Sequence, residues 1–256
     1  MRRQLSVLYE KRKAAVDRRW LPHYAVSHHG HHPGYLALTL RLEPVEVFVF
    51  DFDGTLAPNL DLPRMRSEVI ELTLTTGVPR VEFEHLFIIE IVEAVFTRLH
   101  KEAPEAASGY RSRAHALITE FELEAAARTE PFPETRRTLR ELRRAGKQIA
   151  VVTRNCSRAV TRVFGDIDDY CDTVLARDHV THLKPDLRHV REALTTLGKE
   201  ESIAAMVGDG RMDMSVGREL GMYCVGVLTG SGDEEQLTNA GADLVIAEIQ
   251  ELLDHV

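Results

Sequence analysis

The stretch VEVFVFDFDGT, residues 45–55, decides the architecture. Its first six residues are β-branched and aromatic apart from Glu46, and such a run reads as a buried strand that ends at Asp51. Outward from it, QIAVVT (148–153), DTVLA (172–176), IAAMV (203–207) and YCVGV (223–227) repeat the strand signal, and DLVI (243–246) reads as an edge strand. Helical patterns lie between. ETRRTLRELRRA (134–145) sits between Pro133 and Gly146, the punctuation of a helix start and stop. Leu187, Val190, Leu194 and Leu197 recur at helical spacing between Pro185 and Gly198. Strand and helix in alternation predict an α/β fold: a doubly wound parallel sheet with helices on both faces and right-handed crossovers.

Residues 60–130 interrupt the alternation and hold no convincing strand. Within them Glu90, Glu93, Thr97 and Lys101 recur every three or four residues on an otherwise apolar segment, which predicts a largely buried helix with one narrow wet stripe. An all-helical insert directly after the first strand is expected to form a cap over the carboxyl end of the sheet. The predicted organisation is an extension at 1–44, a core at 45–56 and 132–256, and a helical cap at 57–131. The extension is basic, with 8 Lys/Arg against 3 Asp/Glu, and five of the twelve histidines fall between residues 23 and 32. It reads as a polar segment that packs loosely if at all. The alternatives are a targeting segment, an over-extended start, and a metal-binding tract, although His28, His29, His31 and His32 lack a regular spacing.

Composition narrows the function classes. With 256 residues, 44% hydrophobic and 28% charged, the chain is neither disordered nor collagen-like and can bury a sizeable core. No apolar run reaches the ~18 residues of a membrane span, so no membrane partner is expected. Net charge is −8, and residues beyond 44 carry 24 basic against 37 acidic side chains, a field that repels nucleic acid. Cys156, Cys171 and Cys224 are odd in number and form no CxxC, which indicates neither a disulfide framework nor a cysteine zinc site. A reducing, cytoplasmic setting fits. No apolar h-region follows Arg2 and Arg3, so no secretory signal is visible.

Ligands of open α/β sheets bind beyond the carboxyl ends of the strands. There the first strand delivers Asp51, Asp53 and Gly54, the second Thr153, and the fourth Asp209 with Asp213 four residues on. Lys184 precedes Pro185 on the segment leading out of the third strand. Taken singly, each has a plain structural reading: DxDGT can close a strand, GDGRMD can be a glycine turn with a capping Asp, and neither completes a D-x-[DN]-x-[DN]-G calcium loop. Their joint occurrence, in order and each at the end of a different element, favours a site.

DFDGTL (51–56), Thr153 in VVTRN, Lys184-Pro185 and VGDGRMDM (207–214) resemble the four motifs of the haloacid dehalogenase-like superfamily. PFPETRRTLRELRRAGKQIAVVT and GDEEQLTNAGADLVIAEIQELL further resemble its phosphoglycolate phosphatase-like branch. The resemblance runs from about Val45 to the C-terminus and implies a Rossmann-like core with a helical cap between the first and second motifs. It also implies a Mg2+-dependent phosphatase acting on a small phosphorylated metabolite through an aspartyl-phosphate. Asp51 would be the nucleophile and Asp53 the general acid and base. Thr153, Lys184 and backbone N–H groups such as that of Gly54 would hold the phosphoryl oxygens. Asp51, the carbonyl of Asp53, Asp209 and Asp213 would hold the metal.

Asp53 separates this chain from dehalogenases, which lack the second aspartate, and from cation-pumping ATPases, which carry Thr there. Ala57-Pro58-Asn59 and Arg154 depart from the pattern of close relatives, which usually carry an Asp-Ser pair and an Asn. Arg154 is a candidate for a second anionic group on the substrate, its guanidinium suited to carboxylate or phosphate, and a surface arginine is the alternative. Arg64, Arg66, Arg98, Lys101, Arg111 and Arg113 are expected to be mostly solvated, and Cys156 to pack. A phosphomutase of the same superfamily and a non-catalytic metal- or phosphometabolite-binding protein are the alternative functions.

Overall fold

The computed structural model describes residues 24–27, 37–40 and 42–256. Ahead of the main sheet, β1 (Tyr24–Ser27) and β2 (Ala37–Leu40) pair antiparallel, in a region whose composition predicted no strand. The histidine cluster at 23 and 28–32 lies outside the described residues.

The main sheet contains β3 (Val47–Phe50), β4 (Gln148–Val152), β5 (Thr173–Leu175), β6 (Ala204–Gly208), β7 (Tyr223–Val227) and β8 (Leu244–Ile246). Their order is β5-β4-β3-β6-β7-β8, and every pair is parallel. Phe50 stands opposite Val151 on one side and Val207 on the other, so the three central strands end level with one another. The expected strands are all present, most one or two residues shorter, and β6 runs one residue later because Ile203 belongs to a short 3-10 turn.

Side chains of a strand alternate between faces, and β3 shows it. Val47 and Val49 join one buried cluster, Phe48 and Phe50 the other. Each Phe is fully buried, which contributes about 1.5–3 kcal/mol relative to exposure.

The insert contributes α1 (Leu62–Leu74), α2 (Ile88–His100) and α3 (Pro104–Ala126). They close on a cluster of their own, built from Met65, Val69, Phe83, Ile91, Val95, Tyr110 and Ile118 among others. The polar stripe expected on α2 is only partly left to water, because Glu90 and Glu93 are engaged in ion pairs with Arg154 and Arg111. After the insert, α4 (Thr135–Arg144) and α5 (Ser157–Val163) cover the Phe48 face with Leu139, Leu142, Ala159 and Val160. The opposite face is covered by α6 (Leu187–Leu197) and α7 (Arg211–Leu220) through Val190, Leu194 and Val216. The short α8 (Glu234–Ala240) seats Leu237 against Met214 and Cys224.

The buried layer also takes in Leu42 and Ala57, which the sequence reading placed in the extension and the insert; Leu42 donates its N–H to the His255 carbonyl at 2.7 Å. Among the described residues, no helix is long and apolar enough to cross a membrane.

Candidate active site

Because β3, β4 and β6 end level, the residues that follow them meet. Asp51 leaves β3, Thr153 leaves β4 and Asp209 leaves β6, while Asp213 lies in the first turn of α7. Lys184 reaches them from the β5–α6 connection and ties the set together. Its Nζ donates to Asp51 Oδ1 at 2.8 Å and to Asp213 Oδ1 at 2.6 Å, with the lysine 1% exposed. Carboxylate oxygens of Asp51, Asp209 and Asp213 lie within 4.8 Å of one another. This all-oxygen donor set suits a hard divalent cation.

A tight loop after β3 turns Asp53 toward the same rim: Leu56 and Ala57 both donate to the Phe52 carbonyl, at 2.9 and 3.1 Å. Gly54 sits at φ +79, and a Cβ there would come within 2.5 Å of Asp209 Oδ2. The Gly54 N–H, expected to face a phosphoryl group, is instead donated to the Ala57 carbonyl at 2.7 Å. Close approach of backbone to carboxylate is thus what this glycine provides.

Residues that the sequence reading passed over complete the setting. Asn155 donates its amide to both Asp53 oxygens, at 3.1 and 3.3 Å, while Thr153 Oγ1 reaches Asp53 at 3.4 Å. Asn155 stands two positions after Thr153 in VVTRN, and that proximity is its only local signal. Asp209 Oδ2 accepts from the Ser231 N–H (2.6 Å), the Ser231 hydroxyl (2.9 Å) and Asn59 Nδ2 (3.3 Å). Ser231 lies 22 positions away in the β7–α8 loop, and nothing in its local sequence marks it.

Burial dominates the electrostatics. It raises the Asp53 carboxyl to about 7, with Glu122 and Asp209 adding to the effect and the Asn155 hydrogen bonds and Lys184 opposing it. A protonated Asp53 is therefore available near neutral pH. Asp51 is also held well above the usual carboxylate range, by burial first and then by repulsion from Asp213, Asp209 and Asp53, against the pull of Lys184. Burial lowers Lys184, but Asp213 and Asp51 outweigh it and keep the ammonium charged. The thiols offer no nucleophile: burial pushes Cys156 up to about 11 and Cys171 to about 12, and raises Cys224 further.

Arg154 is partly exposed and engaged by the insert. It forms a two-pronged pair with Glu90 of α2 at 2.8 and 2.7 Å and donates to the Lys184 carbonyl. Four basic residues of the insert have partners within the insert. Arg64 stacks on Phe121, Arg66 binds the Leu86 and Glu84 carbonyls, and Arg98 and Arg111 pair with Glu102 and Glu93.

A family model described as haloacid dehalogenase-like hydrolase matches residues 48–227. The pyrophosphatase PpaX of Bacillus velezensis is 30% identical over 82% of this chain and 95% of its own length. A phosphoglycolate phosphatase of Vibrio cholerae is 26% identical over 84% and 98%. In three dimensions, a haloacid dehalogenase-like hydrolase of Bacteroides fragilis superposes with a TM-score of 0.59 at 22% identity, over 81% of this chain and 99% of its own, and shares the fold.

Proposed function

The chain belongs to the haloacid dehalogenase-like hydrolases, in their phosphoglycolate phosphatase-like branch, and from that premise we propose that it is a Mg2+-dependent phosphatase of small phosphorylated metabolites. The observation that carries this reading is Lys184, an ammonium buried between Asp51 and Asp213 at the ends of separate elements. A buried cation with two carboxylate partners prepares a site for an incoming dianion, and Asp53 beside it supplies the proton.

In this reading, Asp51 attacks phosphorus, forming an Oδ–P bond as the bond to the leaving oxygen breaks. Asp53 gives its proton to that oxygen. Water then attacks the phosphoryl group and passes a proton to Asp53, and the Oδ–P bond breaks to restore the Asp51 carboxylate and release inorganic phosphate. Thr153 and Lys184 orient the phosphoryl oxygens, and Asn155 fixes the Asp53 carboxyl between the two steps. With Asp53 protonated, three aspartate carboxylates against one lysine oppose a phosphate, each like-charge pair at 4 Å costing about 4 kcal/mol at an effective dielectric of 20. Mg2+, when bound by Asp51, Asp209, Asp213 and the Asp53 carbonyl, supplies the positive charge that offsets this repulsion. The helical insert acts as a cap that excludes bulk water and selects the leaving group.

The test is release of p-nitrophenol and phosphate from p-nitrophenyl phosphate with and without Mg2+. Activity is expected with the metal only, and Asp51→Asn should reduce it to background. Undiminished turnover by that variant would refute the nucleophile, and isomerised sugar phosphate without free phosphate would point to a phosphomutase.

A further inference from the structure

Arg154 stands one residue beyond Thr153, and its remaining neighbours also border the site: it donates to the Lys184 carbonyl, and its Nη1 lies 3.8 Å from Sδ of Met212, next to Asp213. Its guanidinium carbon is 5.6 Å from the centre of the Phe87 ring. The guanidinium is thus at the seam between the carboxylate rim and the insert. Its fork is filled by both oxygens of Glu90, an oxyanion that the protein itself provides. A second arginine nearby, Arg177, is forked onto Glu122, but those side chains are 9% and 2% exposed and closed to exchange. Arg154 and Glu90 are 21% and 31% exposed, so water and solutes reach the pair.

Resting on the phosphatase reading above, we propose that Arg154 is the receptor for a second oxyanion on the substrate, with Glu90 occupying the fork until that group displaces it. The chemistry of a planar, bidentate guanidinium accepts a carboxylate or a second phosphoryl group alike. The favoured substrates are phosphate compounds whose leaving group carries its own negative charge. A neutral leaving group leaves Glu90 in place and gains nothing from Arg154.

The experiment compares kcat/KM, with Mg2+, for ethyl phosphate, its carboxylated counterpart carboxymethyl phosphate, and inorganic pyrophosphate, with p-nitrophenyl phosphate as the reference. The wild type is expected to prefer an anionic compound over ethyl phosphate. Arg154→Met should lower that preference by about 10- to 100-fold, the worth of a charged hydrogen bond. Arg154→Lys should fall between, and Glu90→Gln should raise the preference. A response confined to carboxymethyl phosphate identifies a carboxylate as the partner, and one confined to pyrophosphate identifies a phosphoryl group; either supports the receptor. Glu90→Gln preserves side-chain volume and carries the test if Arg154→Met does not fold. Turnover of p-nitrophenyl phosphate with anionic preferences unchanged in both Glu90→Gln and Arg154→Met would make the pair a clamp between insert and core, and overturn the proposal. Failure of wild type to hydrolyse any of the four compounds would remove the phosphatase reading itself, and the receptor with it.

Discussion

His189, fully buried, accepts the backbone N–H of Lys184 at Nδ1 (3.2 Å) and meets the Leu175 carbonyl with Nε2 (3.1 Å). A neutral ring with its proton on Nε2 satisfies both contacts, whereas a charged ring would set a second N–H against that of Lys184. Burial, then the Lys184 charge, lowers the imidazole from 6.5 to about 4. The unfolded chain therefore binds the proton first as pH falls. The neutral ring's full contribution, about 3 kcal/mol, is present above pH 6.5 and is lost on descent toward pH 4. Urea unfolding across that window is expected to show a shallower loss for His189→Gln than for wild type. Asp53 makes a separate prediction. In the proposed mechanism Asp53 protonates the leaving oxygen, so Asp53→Asn should slow an alkyl phosphate by about 10²- to 10⁴-fold, and p-nitrophenyl phosphate, whose leaving group needs little help, much less. Equal losses on both would argue for a purely structural Asp53.

Between β7 and α8 the chain doubles back over the end of β6. Thr229 Oγ1 donates to the Gly54 carbonyl at 2.6 Å, and Ser231 holds Asp209 through both N–H and hydroxyl. This loop can lie so close only because Gly230 has no side chain: a Cβ there would fall 2.0 Å from Asp209 Oδ2. Gly230→Ala must push that carboxylate aside, with an overpacking cost of about 1–3 kcal/mol. The expected outcome is a lower melting temperature together with a Mg2+ concentration for half-maximal activity raised by tenfold or more, a factor worth about 1.4 kcal/mol. A destabilised variant with unaltered Mg2+ dependence would separate the loop from the proposed metal site. The strands and Asp209 were legible from local pattern, but Gly230 and Ser231 were not. Their importance comes from a partner on another strand, which no periodicity encodes.

At the scale of the molecule, two ion pairs of different burial link the insert to the core among the described residues. Glu122 of α3 and Arg177 after β5 are nearly dry, and Arg177 also donates to the Arg154 carbonyl and to Thr119. Removing one partner of such a pair leaves a buried charge, so Glu122→Gln is expected to cost about 3–5 kcal/mol. Glu90→Gln, at a half-exposed pair, should cost under about 1 kcal/mol. Denaturant unfolding of the two variants checks the contrast, and equal losses would mean that burial does not rank these contacts.

What the sequence alone determined is what local rules encode. Buried runs of β-branched and aromatic residues specify strands, Pro and Gly mark helix ends, and the carboxyl-end rule puts Asp51, Thr153 and Asp209 on one rim. Lys184 and Asp213 were also readable, the first on the segment that leads out of the third strand and the second in the first turn of a helix after the fourth. Only the tertiary structure decided the strand order, the engagement of the Gly54 N–H with Ala57, the support of Asp53 by Asn155 and the pairing of Arg154 with Glu90. Those outcomes depend on which charges and hydrogen-bonding groups become neighbours once the chain folds. Glu90 and Arg154 are 64 positions apart, and a glutamate on a helical stripe looks the same in sequence whether it meets water or an arginine.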